Sequence, residues 1–391
     1  MAEHVPEPAE ASGSPVDWER ALRLARAATP PGPRASAPER AALVSLLHEA
    51  AAEAPARVGA LTGLEREARA VGRSLDVRVV DRDAARRAAV DSLRRLVPAP
   101  GSTTPEDART SPTGPASAQD VVSAGAAGTR PSVRRAASTV LGAGRALARR
   151  AGAVAGPGLA ATEAATALGA VSTRLLGEVL PATPDPAAAT DAPDGAVRAP
   201  RILLVAPNVL ALARRDDLDL ADLAHWVALH ETVHAVQLAA APWLAAHLAD
   251  AVAEVVRAAA ARDTGGARER AAALSAALAL LEGHAEAALD SVGPEEIGSV
   301  HRLRAVVGPA RSGALADALA RLTGVRAKGS QHADGAAFVR AVLADAGTAG
   351  LAAAWAAPEN LPRPDELAAP EAWEERVLAG GRQRLPRPPA A

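Results

Sequence analysis

The sequence predicts a mainly α fold with a minor β component, and three observations support this. Hydrophobic residues make up 49% of the 391-residue chain and charged residues 23%, which is enough apolar surface for a packed core. In most segments the apolar residues recur at helical spacing. Short apolar, β-branched runs occur at residues 77–80 and 201–207, and these are the predicted strands. We expect a single domain over residues 16–391.

The first part of the chain alternates predicted helices with proline-rich segments. Residues 1–15 are rich in Pro, Glu and Ser and are expected to be disordered. Ser36 is a plausible cap for the second helix. Residues 98–131 are rich in Pro, Gly, Ser and Thr, so this segment is predicted to be a disordered insertion. The predicted helices of this part are 18–27, 38–54 and 83–97.

The rest of the chain is predicted to be helical around one strand. A loop is expected at 181–198, and Asn208 follows the strand at 201–207 as a cap for the next helix. A helix then runs from about residue 220 to 240 and stops before Pro242. The other predicted helices are 133–150, 159–180, 243–262, 267–292, 294–307, 313–322, 335–346 and 373–379.

Composition excludes several classes of function. The formal net charge is −2, so no overall basic field would attract nucleic acid or an anionic membrane. The chain has 0 cysteines, which excludes disulfides, thiolate zinc sites and a cysteine nucleophile. The N-terminus lacks a basic start followed by an apolar run, and the longest apolar segments are interrupted by charged residues. We therefore expect a cytoplasmic protein without nucleic acid or membrane partners.

The motif H-E-x-x-H occurs once, at His230, Glu231 and His234. Residues four apart lie on one face of a helix, so the two imidazoles can converge on one ion. Two histidines suit Zn²⁺ and leave room for a third protein ligand. Glu231 can act as the catalytic base. The alternative is a structural histidine pair, but the apolar flanks predict a buried helix, in which unpaired polar groups are costly.

A later predicted helix supplies candidates for the third ligand. Glu282, Glu286 and Asp290 are spaced four apart and share one face. We predict Glu282 as the zinc ligand and Glu286 as the group that orients a ligand histidine. Two alternatives stay open. His284 could be the ligand in place of Glu282, and Glu286 and Asp290 could belong to a solvated face.

These residues carry a resemblance to a known family. The stretch from Glu282 to Glu286 resembles the E-G-x-A-E element that supplies the third ligand in gluzincin-type metallopeptidases. More broadly, the chain resembles an actinobacterial family of zinc-dependent metalloproteases or hydrolases, also called coenzyme F420 biosynthesis-associated proteins. The resemblance implies a zincin-like metallopeptidase fold. It rests on residues 16–18, 30–34, 172–177, 203–208, 241–244, 335–339 and 358–362.

The chain departs from that family at two positions where the family often has Tyr. Glu178, Val179 and Leu180 follow residues 172–177, and His332 follows Gln331; the chain has no Tyr at all. Stabilisation of an oxyanion would then fall to a His or an Arg. The candidates are His284, His301, Arg174, Arg302 and His332.

The function predicted from these patterns is zinc-dependent hydrolysis of a bond in a peptide or a small amide. One alternative is a catalytically silent helical scaffold that binds zinc, or no metal, and a partner protein; the missing Tyr favours it. The other alternative is a non-peptide hydrolase linked to coenzyme F420, acting for example on an amide of its polyglutamate tail. Only the name of the family motivates that alternative.

Overall fold

The computed structural model describes residues 16–96, 157–181, 200–311 and 331–382. The predicted tail at 1–15, the predicted insertion at 98–131 and the predicted helices at 133–150 and 313–322 lie outside the described residues, as does nearly all of the predicted loop at 181–198.

Helices dominate the described part of the chain, as predicted. The strands are β1 (Asp76–Val80), β2 (Gly177–Leu180) and β3 (Arg201–Val205). The helices are α1 (Trp18–Ala28), α2 (Ala37–Thr62), α3 (Glu65–Ser74), α4 (Arg82–Leu96), α5 (Pro157–Arg174), α6 (Ala206–Asp216), α7 (Leu220–Ala240), α8 (Leu244–Ala260), α9 (Thr264–Asp290), α10 (Val300–Arg311), α11 (Gln331–Ala352) and α12 (Pro370–Arg382).

The three strands form one sheet in the order β1-β3-β2. β3 is parallel to β1 and antiparallel to β2, with Gly177 opposite Leu204. The strands predicted near 77–80 and 201–207 are confirmed, but the helix predicted over 159–180 is wrong at its C-terminal end. The helix stops at Arg174, and β2 follows. The four residues of β2 are held in a strand by their pairing with β3. The local pattern of apolar residues does not indicate a partner that is distant in the sequence.

Asn208 does not cap a helix as predicted. Helix α6 begins at Ala206, directly after β3, with Pro207 in its first turn. The side-chain amide of Asn208 donates instead to the carbonyl oxygens of Ser172 and Leu175, at 2.8 and 2.7 Å. Asn208 therefore fixes the connection between α5 and β2.

Several other helix boundaries differ from the prediction, among them the end of α2 and the start of α10. Helix α2 continues through Pro55 to Thr62 and ends at Gly63, whose φ of 70° is left-handed. A single proline is tolerated here within a helix that is held by packing and by the capping box of Ser36 and Glu39. Helix α10 begins at Val300, later than predicted.

Helix α7 lies at the centre of the main hydrophobic core and packs against α2, α9 and the sheet. The Asp219 side chain caps its N-terminus by accepting from the backbone N–H of Asp222 at 2.9 Å. Buried residues occur on all sides of the helix. Polar groups on α7 are therefore held in a largely water-free environment, where each needs a partner.

Helices α9 and α11 touch through their backbones. A Cβ atom on Gly283 would lie 2.4 Å from the carbonyl group of Gly335, and one on Gly335 would lie 2.2 Å from the carbonyl oxygen of Ala279. Both positions therefore require glycine. Gly283 follows Glu282 directly, so this backbone contact fixes the position of Glu282 along α9 relative to α11.

Two helices in the described part of the chain are long and apolar enough to cross a membrane by length and composition alone: Thr264–Asp290 and Asp334–Trp355. The bent pair Leu220–Ala240 and Leu244–Ala258 passes the same test when taken together. In Thr264–Asp290, 67% of the apolar window is buried inside the protein. The hydrophobic core accounts for the apolarity of that helix.

Candidate metal centre

Helix α7 places His230 and His234 one turn apart on the same face. Their Nε2 atoms lie 3.1 Å apart, and the two rings meet edge to face with centroids at 4.7 Å. His230 is 9% exposed and His234 is partly buried. The spacing predicted by the motif therefore brings both ring nitrogens to one point.

Glu282 reaches the same point from α9. One carboxylate oxygen lies 3.6 Å from Nε2 of His230, and the other lies 3.7 Å from Nε2 of His234. The three side chains offer donor atoms that all lie within 4.8 Å of one another. The structure thus brings Glu282, and not His284, to the two imidazoles.

The donor set fits a zinc ion. Zn–N distances of about 2.0–2.1 Å and a Zn–O distance of about 2.1 Å at tetrahedral angles place ligand atoms roughly 3.3–3.4 Å apart. The observed separations of 3.1, 3.6 and 3.7 Å bracket these values. Two imidazoles and one carboxylate are also a donor set that zinc takes in catalytic sites, where one position is left open. The role of these residues as zinc ligands stays a prediction.

Glu231 is buried beside the cluster, at the edge of the sheet. The residue is 2% exposed. Its carboxyl group lies directly against Gly177 of β2: a Cβ atom on that glycine would lie 2.7 Å from Cδ and 2.8 Å from Oε1 of Glu231. Only glycine leaves room for the carboxyl group there. The predicted base therefore lies at the contact between the central helix and the edge strand.

Gln237 connects the two helices that carry the cluster. Its Oε1 lies 2.9 Å from Nδ1 of His234. Its Nε2 donates to the carbonyl oxygen of Leu281 at 2.9 Å and lies 3.1 Å from Nδ1 of His284. Gln237 is 1% exposed, so these contacts are shielded from water.

Glu286 does not occupy the place predicted for it. Its Oε1 accepts a hydrogen bond from the Arg340 guanidinium of α11 at 2.8 Å, and its side chain is 50% exposed. Asp290 pairs with the same arginine at 2.7 Å. The predicted contact with a ligand histidine is made by Gln237 instead, because Gln237 is only three residues from His234 on the same helix.

Glu178 is a further carboxyl group at this end of the sheet. Its Oε2 is buried and has no hydrogen-bond partner among the described residues. Burial, and to a smaller extent the charge of Glu231, raises the pKa of Glu178 to about 7. Two carboxyl groups thus lie near each other, one on α7 and one on β2.

One protein family and a solved structure resemble this chain. The sequence model of the zincin-like metallopeptidase family matches residues 16–271 and 257–373. The chain belongs to this zincin-like family. A solved structure from Chloroflexus aurantiacus, described as a proposed hydrolase with a novel fold, superimposes with a TM-score of 0.59 at 19% identity, covering 95% of this chain and 100% of the other. None of the curated proteins matches the chain.

The candidates for oxyanion stabilisation lie in different places around this zincin-like site. His284 is 3% exposed and packs against Trp355, with ring centroids 5.3 Å apart. Its burial, aided by His234, lowers its pKa to about 4, so it is neutral at neutral pH. Arg302 donates to the backbone oxygen of Asp216 at 2.6 Å, on the surface.

The remaining candidates are not brought to the cluster by a described contact. His301 is exposed near the start of α10. Arg174 is exposed at the end of α5, three residues before Gly177, and it stays a candidate because it leads into the edge strand. The side chain of His332 lies outside the described residues.

Gln237 and Glu178 were not predicted from the sequence as residues of this zincin-like site. Gln237 carries a signal, since a residue three positions after His234 lies on the same helical face. The importance of Glu178 depends on the pairing of β2 with β3, and no local pattern reports that pairing.

Proposed function

We propose that this zincin-like protein is a zinc-dependent hydrolase that cleaves a peptide bond or a small amide. One observation carries the proposal: the two histidines and Glu282 present a zinc-like donor triangle, with the buried Glu231 next to it on α7.

His230, His234 and Glu282 would hold the ion. A zinc ion there would supply a Lewis acid that polarises a carbonyl group and makes a water molecule more acidic. The carboxylate of Glu282 would offset part of the positive charge of the ion, and the imidazoles of His230 and His234 would complete the donor set.

Glu231 would move the proton. Its carboxylate takes a proton from the attacking water as the oxygen bonds to the carbonyl carbon, and it then returns that proton to the leaving amine as the C–N bond breaks. Glu231 is suited to this because the backbone of Gly177 restricts where its carboxyl group can lie. The net reaction consumes one water molecule and leaves Glu231 unchanged.

The edge strand favours an extended substrate. Among the described strands, β2 pairs with β3 alone. An extended peptide can add to a sheet edge through main-chain hydrogen bonds. Because β2 contacts Glu231 at Gly177, a peptide placed along that edge would bring its backbone carbonyls past the base.

The test uses full-length protein loaded with Zn²⁺. Bound metal is measured by mass spectrometry in the wild type and in His230→Ala, and we expect about one zinc per chain in the wild type only. Hydrolysis is then screened with a mixed peptide library that includes γ-linked glutamate peptides, and products are identified by mass spectrometry.

Glu231→Gln is the matched control for hydrolysis. It keeps the shape of the side chain and removes its basicity, so we expect zinc to stay bound while product formation falls by about 10²–10⁴-fold. Equal product from the wild type and the variant would contradict the role of Glu231.

The competing function is a catalytically silent, zinc-bound scaffold. The observation in its favour is the absence of Tyr, a residue that could stabilise an oxyanion. A wild-type protein that binds zinc tightly but yields no product from any peptide in the library would favour this function.

A further inference from the structure

Gln237 has a fixed amide orientation. The carbonyl oxygen of Leu281 can only accept a hydrogen bond, so the Gln237 atom 2.9 Å from it must be the nitrogen. The oxygen of the amide then faces Nδ1 of His234 at 2.9 Å. Because Gln237 is only 1% exposed, water does not replace a lost contact, and losing either hydrogen bond would leave a buried polar atom unsatisfied.

This orientation dictates where His234 carries its proton. A carbonyl oxygen can only accept, so Nδ1 of His234 must be the protonated nitrogen of the neutral ring. Nε2 then has its lone pair free, and Nε2 is the atom that faces His230 and Glu282. The same amide nitrogen lies 3.1 Å from Nδ1 of His284, so that nitrogen accepts and helps to hold the amide in place.

The same side chain links the two ligand-bearing helices. Leu281 precedes Glu282, so a hydrogen bond to the Leu281 carbonyl fixes the backbone next to the third ligand. One side chain thus controls the ring orientation of His234 on α7 and the position of α9 relative to it.

We propose that Gln237 is a positioning residue that pre-forms the metal centre, by holding His234 in its Nδ1–H tautomer and by tying α7 to α9 beside Glu282. The inference rests on the proposed function in so far as that function requires a metal at this site. Gln237 lies outside the H-E-x-x-H motif, three residues after His234.

The first measurement needs no variant. In the metal-free wild type, histidine ¹⁵N NMR at about pH 8.5, where an ordinary imidazole is neutral, should show His234 protonated at Nδ1. A ring protonated at Nε2 would overturn the proposal, whether or not the protein hydrolyses anything.

Two substitutions separate the acceptor and donor roles. Gln237→Met keeps the length of the side chain and removes both the acceptor and the donor. We therefore expect a mixture of His234 tautomers and a Zn²⁺ affinity reduced about 10–100-fold. Gln237→Glu keeps an acceptor toward His234 and loses the donor toward Leu281. It should retain the Nδ1–H tautomer and bind Zn²⁺ more weakly than the wild type. Loss of that tautomer in Gln237→Glu would contradict the acceptor role.

Val236→Ala is the control for a general loosening of α7. Val236 is buried in the main core, about 200° around the helix from His234. The variant should be less stable but should keep both the tautomer and the Zn²⁺ affinity, measured by competition with a chelating dye. Gln237→Met with affinity within about threefold of the wild type, or no weaker than Val236→Ala, would overturn the proposal. If the zinc-loaded wild type hydrolyses no peptide, the proposed function fails and these measurements still decide the role of Gln237.

Discussion

The two sides of the candidate site are built differently. On the helical side, the clustered side chains of α7 and α9 have partners: the histidines and Glu282 contact one another, and Gln237 connects the helices. On the strand side, β2 is four residues long and places Gly177 against Glu231, and the Oε2 atom of Glu178 has no hydrogen-bond partner in the described part of the chain. Under the proposed function, the helical side would hold the metal and the strand side would contact the substrate.

The largest effect is expected from removing the carboxylate ligand on the helical side. Glu282→Ala should weaken Zn²⁺ binding by at least about 100-fold, because a zinc binding free energy of about 10 kcal/mol shared among three ligands gives about 3 kcal/mol each. Glu286→Ala is the matched control, since Glu286 lies one turn further along α9 and contacts Arg340. Metal affinity is measured by competition with a chelating dye. Similar losses in both variants would mean that α9, and not the ligand, had been disturbed.

On the strand side, Gly177→Ala should reduce turnover about 100-fold while zinc stays bound. The added Cβ would lie 2.5 Å from Cγ of Glu231, so the base must move, and a displacement of about 1 Å can cost about 10²-fold in rate. Gly169→Ala is the control, because its Cβ would lie 3.3 Å from the Thr29 hydroxyl oxygen, which requires a shift of only a few tenths of an ångström. Steady-state kinetics on a peptide found in the screen would test this. Loss of zinc in Gly177→Ala would place this glycine in the metal site instead.

The contrast between the two sides also explains what the sequence could predict. The pairing of His230 with His234 follows from helical periodicity, because residues four apart share a face, and the apolar flanks of α7 indicate that this helix is buried. The neighbouring sheet forms by pairing of strands that are far apart in the sequence, and a local pattern does not indicate such pairing. For that reason β2 was predicted as the end of a helix. The predicted contact of Glu286 with a ligand histidine was wrong, because periodicity shows which residues share a helix face but not which neighbouring element packs against that face.

Glu178→Gln should change how stability depends on pH. The pKa of Glu178 is raised from 4.5 to about 7 in the folded protein, so the folded state binds more protons than the unfolded state in that interval. Stability is therefore lost as pH rises from about 5 to 8. The shift corresponds to at most about 3 kcal/mol, and the partial exposure of this residue reduces our expectation to about 2 kcal/mol.

The measurement is urea unfolding of the metal-free protein, kept with a chelator, at both pH values. The wild type should lose about 2 kcal/mol more than Glu178→Gln between about pH 5 and 8. Parallel pH dependence in the two proteins would mean that Glu178 is ionised and solvated in the folded state. Under the proposed function, such a result would make Glu178 available to attract a cationic group of a substrate.

The smallest effect is expected from Asn208→Ala. The two hydrogen bonds from the Asn208 amide to Ser172 and Leu175 would be lost, together with the one that its Oδ1 accepts from Arg82, which should lower the free energy of unfolding by about 1–2 kcal/mol. Hydrogen exchange should quicken in β2 more than in α7, because the lost contacts anchor the segment that enters β2. Uniform quickening over both elements would contradict this local role.

The contact between Gly283 and Gly335 has a consequence for how the site tolerates change. Most distances within a protein core depend on side-chain volumes, and they shift when a leucine becomes a valine. The height of Glu282 relative to α11 is set by two peptide backbones in contact, whose dimensions no substitution elsewhere alters. Substitutions in the surrounding core can therefore leave the position of Glu282 relative to α11 unchanged, provided that both glycines remain.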